Sequence, residues 1–235
     1  MGLPKIDLPL FETKLISTGR KKIKYRPFTV KEEKILLIAQ ESDDIDQIIL
    51  AIKQIIGNCC EDVKIDKLPM FELEYLLMQI RGKSVNSVIE FQITDPETEK
   101  PVMLELNIDE IEMTKPKGHS REISIGEDAY IVMEYPVLDD VTKFLKPAED
   151  GLDNNIFDIM LSCIGSVVQG DEVYNLEDFS DEEVLEFVDS FSTQTIEDIK
   201  NFFETIPVMK CEQTYTNADG EEKQVVLEGV ETFFI

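Results

Sequence analysis

The spacing of apolar residues changes twice along this chain, and this change limits the folds open to it. From about residue 30 to residue 81, apolar side chains recur every three or four positions, which is the period of an α-helix. From about residue 88 to residue 134 they alternate with polar side chains, as in a β-strand. The helical period returns after Pro136. The sequence therefore predicts an α+β protein, in which helical clusters flank a small antiparallel β-sheet and a C-terminal β-hairpin follows.

Capping signals help to place the helices within these regions. Thr29 with Glu32, and Ser180 with Glu183, have the spacing of capping boxes, which open helices. The first predicted helix carries Ile38 on its apolar face. Helices are predicted at about 30–40, 43–57, 70–81, 137–145, 154–168, 181–191 and 195–206.

Segments in which apolar and polar residues alternate predict the strands. The Asp219-Gly220 turn favours a hairpin close to the C-terminus. Strands are predicted at about 23–26, 88–93, 102–108, 123–125, 130–134, 214–216 and 224–227.

The chain is expected to have two parts. Because the helical period resumes after Pro136, we expect one part at 1–136, with a helical cluster and the small sheet. The other, at 137–235, is expected to be acidic, helical and closed by the hairpin.

The charge is negative and unevenly distributed. The chain of 235 residues has a formal net charge of −26 at pH 7. Residues 1–120 contribute 17 basic and 21 acidic side chains, and residues 121–235 contribute 6 and 28. Residues 147–199 include 15 acids and no Lys or Arg. Such a charge repels phosphates, so we expect neither nucleic acid nor an anionic membrane as a partner and instead expect basic protein surfaces.

The sequence also gives signals about the cellular compartment. Residues 1–10 are interrupted by prolines and charged residues and lack the apolar core of a signal peptide. No apolar run approaches the roughly 18 residues of a membrane span. The four cysteines form no CxxC pair, which favours reduced thiols in a cytosolic setting.

A search for catalytic, metal-binding and cofactor-binding patterns identifies no site. The single histidine, His119, lies in a predicted exposed loop at 115–119, without a nearby nucleophile motif or second metal ligand. Neither a glycine-rich phosphate loop nor the register of a calcium-binding loop occurs. We therefore predict no catalytic, cofactor-binding or metal-binding residues and no cofactor. A hydrolase whose carboxylates meet only in the folded chain stays an open alternative.

Two clusters are candidates for binding a protein partner. The first is a basic segment that alternates with Ile23 and Tyr25, which fits either an edge strand with a solvated face or a docking site for an acidic partner. That partner could be the acidic half of a second copy, so a homo-oligomer is one alternative. The second cluster is an apolar pair near the C-terminus. The candidate residues are Arg20, Lys21, Lys22, Lys24, Arg26, Phe233 and Phe234.

Five segments together resemble a known family. They are LPLFETK at 8–14, YRPFTVKEEK at 25–34, LPMFELEYLL at 68–77, FFETIP at 202–207, and the segment from Leu227-Glu228-Gly229 to Phe233-Phe234. In these segments the chain is similar to the baseplate hub subunit family of T4-type bacteriophages. The resemblance runs over nearly the whole chain, and its N-terminal third is the most specific part.

The resemblance implies a tail protein without catalytic activity that serves the central hub of the contractile-tail baseplate. Other hub proteins and tape-measure proteins would then be its partners. The protein would be present in the host cytoplasm during assembly and could remain in the baseplate of the virion. An acidic chaperone that acts during tail assembly and is absent from the mature virion is the alternative. An acidic C-terminal half and a basic N-terminal edge would provide two unlike docking surfaces.

Overall fold

The computed structural model of the protein describes residues 6–17, 22–42, 44–114, 116–140 and 156–228. In these segments it has an α+β fold, as predicted, with several small antiparallel sheets and a C-terminal hairpin. In chain order the elements are β1 (Phe11–Lys14), β2 (Lys22–Tyr25), α1 (Val30–Gln40), α2 (Ile45–Cys59), α3 (Met70–Ser84), β3 (Val88–Thr94), β4 (Pro101–Asn107), β5 (Glu112–Thr114), β6 (Glu122–Ser124), β7 (Ala129–Met133), α4 (Ile156–Ser162), β8 (Ile164–Gln169), β9 (Glu172–Asn175), α5 (Asp181–Asp189), α6 (Thr193–Glu204), β10 (Val208–Thr216) and β11 (Glu222–Glu228).

The chain divides into two compact units. Unit 1 comprises Met1–Thr114 and Val208–Ile235, and unit 2 comprises Lys115–Pro207. This division differs from the predicted boundary near 136–137, which assigned strands β6 and β7 to the first part and the C-terminal hairpin to the second. The chain builds most of unit 1, then all of unit 2, and returns to unit 1 through β10.

Long-range pairing explains why the C-terminal hairpin belongs to unit 1. Strand β10 pairs with β11 and also, at its start, with β5, in both cases antiparallel. The hydroxyl of Tyr215 donates to the buried carboxylate of Asp95 over 2.7 Å. Lys223 lies 2.8 Å from Glu97, which follows Asp95 in the β3–β4 turn. The sequence carries no signal for partners more than 90 residues apart, so they were not predicted.

Helices α1 and α2 of unit 1 begin at residues whose side chains cap them. The Thr29–Glu32 capping box opens α1 as predicted. Helix α2 begins at Ile45 with Asp44 as its N-cap, about two residues after the predicted start at 43. It also continues past Gly57, where the sequence predicted its end. A Cβ at Gly57 would lie 3.0 Å from the Ile65 side chain, so this glycine permits close packing rather than stopping the helix.

The core of unit 1 includes a cluster between α3, the β3–β4 hairpin and the three-stranded sheet β11-β10-β5. Strands β3 and β4 pair antiparallel from Val88 with Asn107 to Thr94 with Pro101. Their alternation places one face in the core, as the period of two predicts. The buried members of the cluster are Met78, Ile89, Phe91, Leu104, Leu106, Ile108, Ile111, Met209, Cys211, Tyr215 and Leu227.

Unit 2 is built on an antiparallel sheet of four strands in the order β6-β7-β8-β9. Its core combines side chains from this sheet with side chains from α5 and α6, and Ser180 and Ser192 cap these two helices. The buried core residues are Ile123, Ile131, Met133, Cys163, Ile164, Val188, Ile199 and Phe202.

The helix predicted at 154–168 is wrong in its second half. The described helix α4 ends at Ser162, and β8 and β9 follow as a hairpin. Gly170 in the turn has a φ of +59°, which glycine adopts without strain. The β-branched run after Gly165 and this turn were the signals for a strand. The predicted helix at 137–145 lies mostly outside the described residues.

Candidate docking surfaces

The basic strand β2 has the alternation that the sequence predicted. Lys22 and Lys24 are exposed, whereas Ile23 and Tyr25 are buried. Strand β2 pairs with β1, and Lys22 lies 2.6 Å from Glu12 of that strand. The hydrogen bond from Lys22 is the main reason that the pKa of Glu12 is lowered. Part of the basic charge on this face is therefore compensated within the hairpin.

Arg26 differs from the other basic candidates because it serves the fold of unit 1. Its guanidinium lies 3.1 Å from the carboxylate of Glu32, which is fully buried. The same carboxylate accepts hydrogen bonds from the backbone and hydroxyl of Thr29, at 2.9 and 2.7 Å. Burial alone raises the pKa of Glu32, but the hydrogen bonds from Arg26 and Thr29 outweigh it and lower the pKa to about 2. Arg26 is thus the counter-ion of a buried helix cap.

The remaining predicted candidates lie outside the described residues. These are Arg20 and Lys21 in the basic segment, and Phe233 and Phe234 at the C-terminus. Lys22 and Lys24 are therefore the described basic candidates that face solvent. A docking role for all of these residues stays a prediction.

Helices α1 and α2 expose apolar side chains on unit 1. Ile38 was predicted on the buried face of α1 but is 64% exposed, while its neighbour Ala39 is buried. Leu37 on α1 and Leu50 on α2 are also more than half exposed. Ile38 and Leu50 line a shallow hollow of about 210 Å³. The helical period correctly indicated a helix but not how much of its apolar face is covered.

Unit 2 concentrates the negative charge. Its 93 residues carry 22 acidic and 6 basic side chains, for a net charge of −16, whereas the 142 residues of unit 1 have a net charge of −10. Most acidic side chains of α5 and of the segment before it are exposed. Unit 2 is therefore the more acidic of the two units, and much of this charge faces solvent.

An apolar groove of about 300 Å³ lies on unit 2 between the β8–β9 hairpin and α5. Tyr174 and Phe179 line it and are 37% and 42% exposed, and their ring centroids are 6.4 Å apart. The hydroxyl of Tyr174 donates to the carboxylate of Glu172. The lining residues are Val167, Gln169, Tyr174, Leu176, Phe179, Glu183, Val184 and Phe187. Sequence reasoning missed this groove because it predicted a helix where β8 begins.

Glu183 has two roles in unit 2, one at the groove and one at the start of α5. It lines the groove, and its carboxylate also accepts hydrogen bonds from the backbone and hydroxyl of Ser180, at 2.9 and 2.8 Å. The backbone hydrogen bond from Ser180 is the main reason that the pKa of Glu183 is lowered. The carboxylate is therefore charged at neutral pH and held at the rim of an apolar surface.

His119 has a packing role in unit 2 and is more enclosed than the predicted exposed loop implied. Its ring nitrogens lie 2.8 Å from the hydroxyl of Tyr135 and 3.0 Å from that of Thr205. The imidazole also stacks on Phe202, with the ring centroids 5.2 Å apart. These contacts connect the loop before β6 to α6 and its C-terminal end.

The cysteine thiols and the carboxylates show no arrangement around a metal ion in the described segments. Burial raises the pKa of Cys59 to about 11 and the pKa values of Cys60 and Cys163 to about 12. These thiols therefore stay protonated at neutral pH, and the thiolate is the form that attacks or ligates. Among the described residues, no group of three or more His, Cys, Asp or Glu side chains could hold a metal ion.

Comparison with known proteins identifies the family. The model of the T4 bacteriophage base plate protein family matches residues 8–235. The chain belongs to this family. Its match covers almost the full sequence and thus both units. No curated protein and no solved structure matches the chain.

Family membership confirms the resemblance at the level of the baseplate. The chain is a structural protein of the T4-type phage baseplate, a part of the virion tail, and its partners include other baseplate proteins. Within the described segments, no helix is both long and apolar enough to span a membrane.

Proposed function

We propose that this baseplate protein is a non-enzymatic component of the central hub and docks onto other hub proteins or tape-measure proteins. The observation that supports the proposal is the unequal charge of its surfaces. Unit 2 has a net charge of −16, and residues 147–199 contain no Lys or Arg. Unit 1 exposes Lys22 and Lys24 on β2.

Unlike charges on different surfaces favour contacts with different neighbours. A symmetric dimer uses the same patch on both copies, whereas an acidic face and a basic edge suit heterologous contacts. Complementary charge also increases the rate of encounter and discriminates against wrong partners. Unit 2 would accordingly bind basic surfaces of hub or tape-measure proteins, and β2 would bind an acidic one.

A binding assay at two salt concentrations tests this proposal. The purified chain is captured on hub and tape-measure proteins of the same phage at about 0.1 M and about 1 M salt, where the Debye length falls from about 10 to about 3 Å. We expect association at low salt and at least a tenfold weaker association at high salt. Equal binding at both concentrations would contradict docking through charge.

An assembly chaperone is the second candidate, and the acidity of unit 2 favours it because an acidic surface can shield a basic partner until assembly. This chaperone would act in the host cytoplasm and be absent from the mature virion. Mass spectrometry of purified tails and of assembly intermediates distinguishes the two. A fixed stoichiometry in purified tails supports a hub component, whereas presence only in intermediates supports the chaperone.

A further inference from the structure

The groove on unit 2 combines an apolar floor with an acidic rim. Tyr174 and Phe179 stand partly exposed at its edge, and neither belongs to the buried core of unit 2. Exposed aromatic side chains in a concave site are typical of protein contacts, where they supply much of the binding energy. A volume of about 300 Å³ is at the lower end of ligand pockets, which suits one or two large side chains.

The charge around the groove defines the partner. Glu183 lines the groove, and Glu172 holds the hydroxyl of Tyr174 at its edge. Asp171 in the β8–β9 turn and Asp181 and Glu186 on α5 are further exposed acids on the two elements that flank the groove. An incoming segment is therefore favoured when Lys or Arg side chains flank its apolar residue.

A second copy of this chain does not provide such a segment from its basic strand. In β2 the apolar residues that alternate with the lysines are Ile23 and Tyr25, and they are 4% and 2% exposed. They could enter a groove on another copy only if unit 1 lost part of its core. The basic strand of a second copy is therefore not the occupant, whereas other baseplate proteins are partners that the family implies.

We infer that the groove between the β8–β9 hairpin and α5 receives a basic segment of another baseplate protein. That segment inserts one large apolar or aromatic side chain beside Tyr174 and Phe179, and its Lys or Arg side chains pair with Glu172 and Glu183. This inference rests on the proposed docking function and assigns the acidic contact to one site.

Synthetic peptides test the site directly. Overlapping peptides of about 15 residues, covering the hub and tape-measure proteins of the same phage, are titrated against the full chain and four variants. We expect binding by peptides that carry several Lys or Arg around a large apolar residue. Phe179→Ala should weaken that binding at least about fivefold through loss of aromatic contact. Glu183→Gln should weaken it about threefold while keeping a residue that capping boxes accept.

Two matched controls lie on the other side of α5. Leu185 is 57% exposed but does not line the groove, and Glu182 is an exposed acid of the same first turn. At 100° per residue, both positions face away from the side that carries Val184 and Phe187. Leu185→Ala and Glu182→Gln should therefore leave peptide binding within about twofold of the wild type. Equal thermal unfolding of all variants shows that they fold.

The outcomes separate this inference from the proposed function. If whole hub or tape-measure proteins bind the wild type and Phe179→Ala equally well, the groove is not the site although docking stands. Equal peptide binding by Phe179→Ala and Leu185→Ala, or a preference for acidic peptides, overturns the inference as well. If sedimentation shows a dimer that Phe179→Ala dissociates, the occupant is a second copy and the inference is wrong. If no whole partner binds the wild type, the proposed function and this inference both fail.

Discussion

The buried ion pair at the start of α1 gives a prediction whose size follows from the structure. The pKa of Glu32 falls from 4.5 to about 2 because the hydrogen bonds from Arg26 and Thr29 exceed the effect of burial. Each pKa unit corresponds to about 1.4 kcal/mol, so the ionised carboxylate contributes roughly 3 kcal/mol to folding. Since the folded pKa is depressed, this contribution is complete above about pH 5 and disappears as the pH falls towards 2.

Glu32→Gln removes the charge while keeping a side chain that capping boxes accept. We expect unit 1 of this variant to lose most of the ~3 kcal/mol at pH 7 and little at pH 2, because the wild type has then lost the same contribution. Urea denaturation followed by circular dichroism gives the free energies of unfolding. Hydrogen exchange of peptides from 22–40 assigns the change to unit 1, because two units need not unfold together.

The chain itself offers a control. Glu183 has the same capping-box position in α5, but its side chain is exposed. Within the described segments its carboxylate accepts hydrogen bonds from the backbone and hydroxyl of Ser180, where Glu32 also has an arginine. Glu183→Gln should therefore lower the stability much less than Glu32→Gln. Arg26→Ala should destabilise unit 1 by about 3–5 kcal/mol, because it leaves a buried charge without its partner.

The role of the Glu32 carboxylate would be contradicted if the stabilities of the wild type and of Glu32→Gln changed with pH in the same way. If the stability difference between the wild type and Glu32→Gln is the same at pH 7 and pH 2, the carboxylate does not carry the stabilisation. If Arg26→Ala has wild-type stability but binds its partner more weakly, Arg26 contacts a partner and does not stabilise unit 1.

Two further predictions concern α3. Gly82→Ala should destabilise unit 1 by about 1 kcal/mol or more in urea denaturation. The reason is that the new Cβ would lie 3.0 to 3.2 Å from three side-chain atoms of the buried Ile108. This crowding should outweigh the ~1 kcal/mol by which alanine favours a helix over glycine. A stabilised variant would show that Ile108 can move aside. Burial raises the pKa of Glu74 to about 7 from 4.5, so stability should fall as the pH rises through this range. Glu74→Gln should accordingly be more stable than the wild type at pH 8 and similar at pH 4, and a less stable variant at pH 8 would contradict this.

Helices and hairpins were predicted correctly where the sequence carries a clear capping box or turn motif. The Thr29–Glu32 and Ser180–Glu183 pairs opened helices as expected, and both capping boxes are formed. The Asp219-Gly220 turn joins β10 to β11, and Gly220 has a φ of +85°. The prediction failed at Ile164, since a short run of apolar residues does not by itself distinguish a helix from a strand.

The sequence predicted the charge of the candidate docking surfaces but not where the groove lies. The acidic excess of the C-terminal half was visible in the sequence, and so was the alternation of lysines with Ile23 and Tyr25. The groove was not, because it forms where β8 and β9 fold against α5. The role of Arg26 was also hidden, because a basic residue six positions before Glu32 gives no sign that the two meet in the interior.

By itself, the sequence determined the mixture of helices and strands, the excess of negative charge and the resemblance to a baseplate family. These properties follow from the order of residues, since local period, capping and net charge need no distant partner. Tertiary structure alone decided that the C-terminal hairpin belongs to unit 1, that Arg26 supports a buried carboxylate, and that an apolar groove lies among the acids of unit 2. Each of these depends on residues far apart in sequence, whose meeting is decided by the packing of the whole unit.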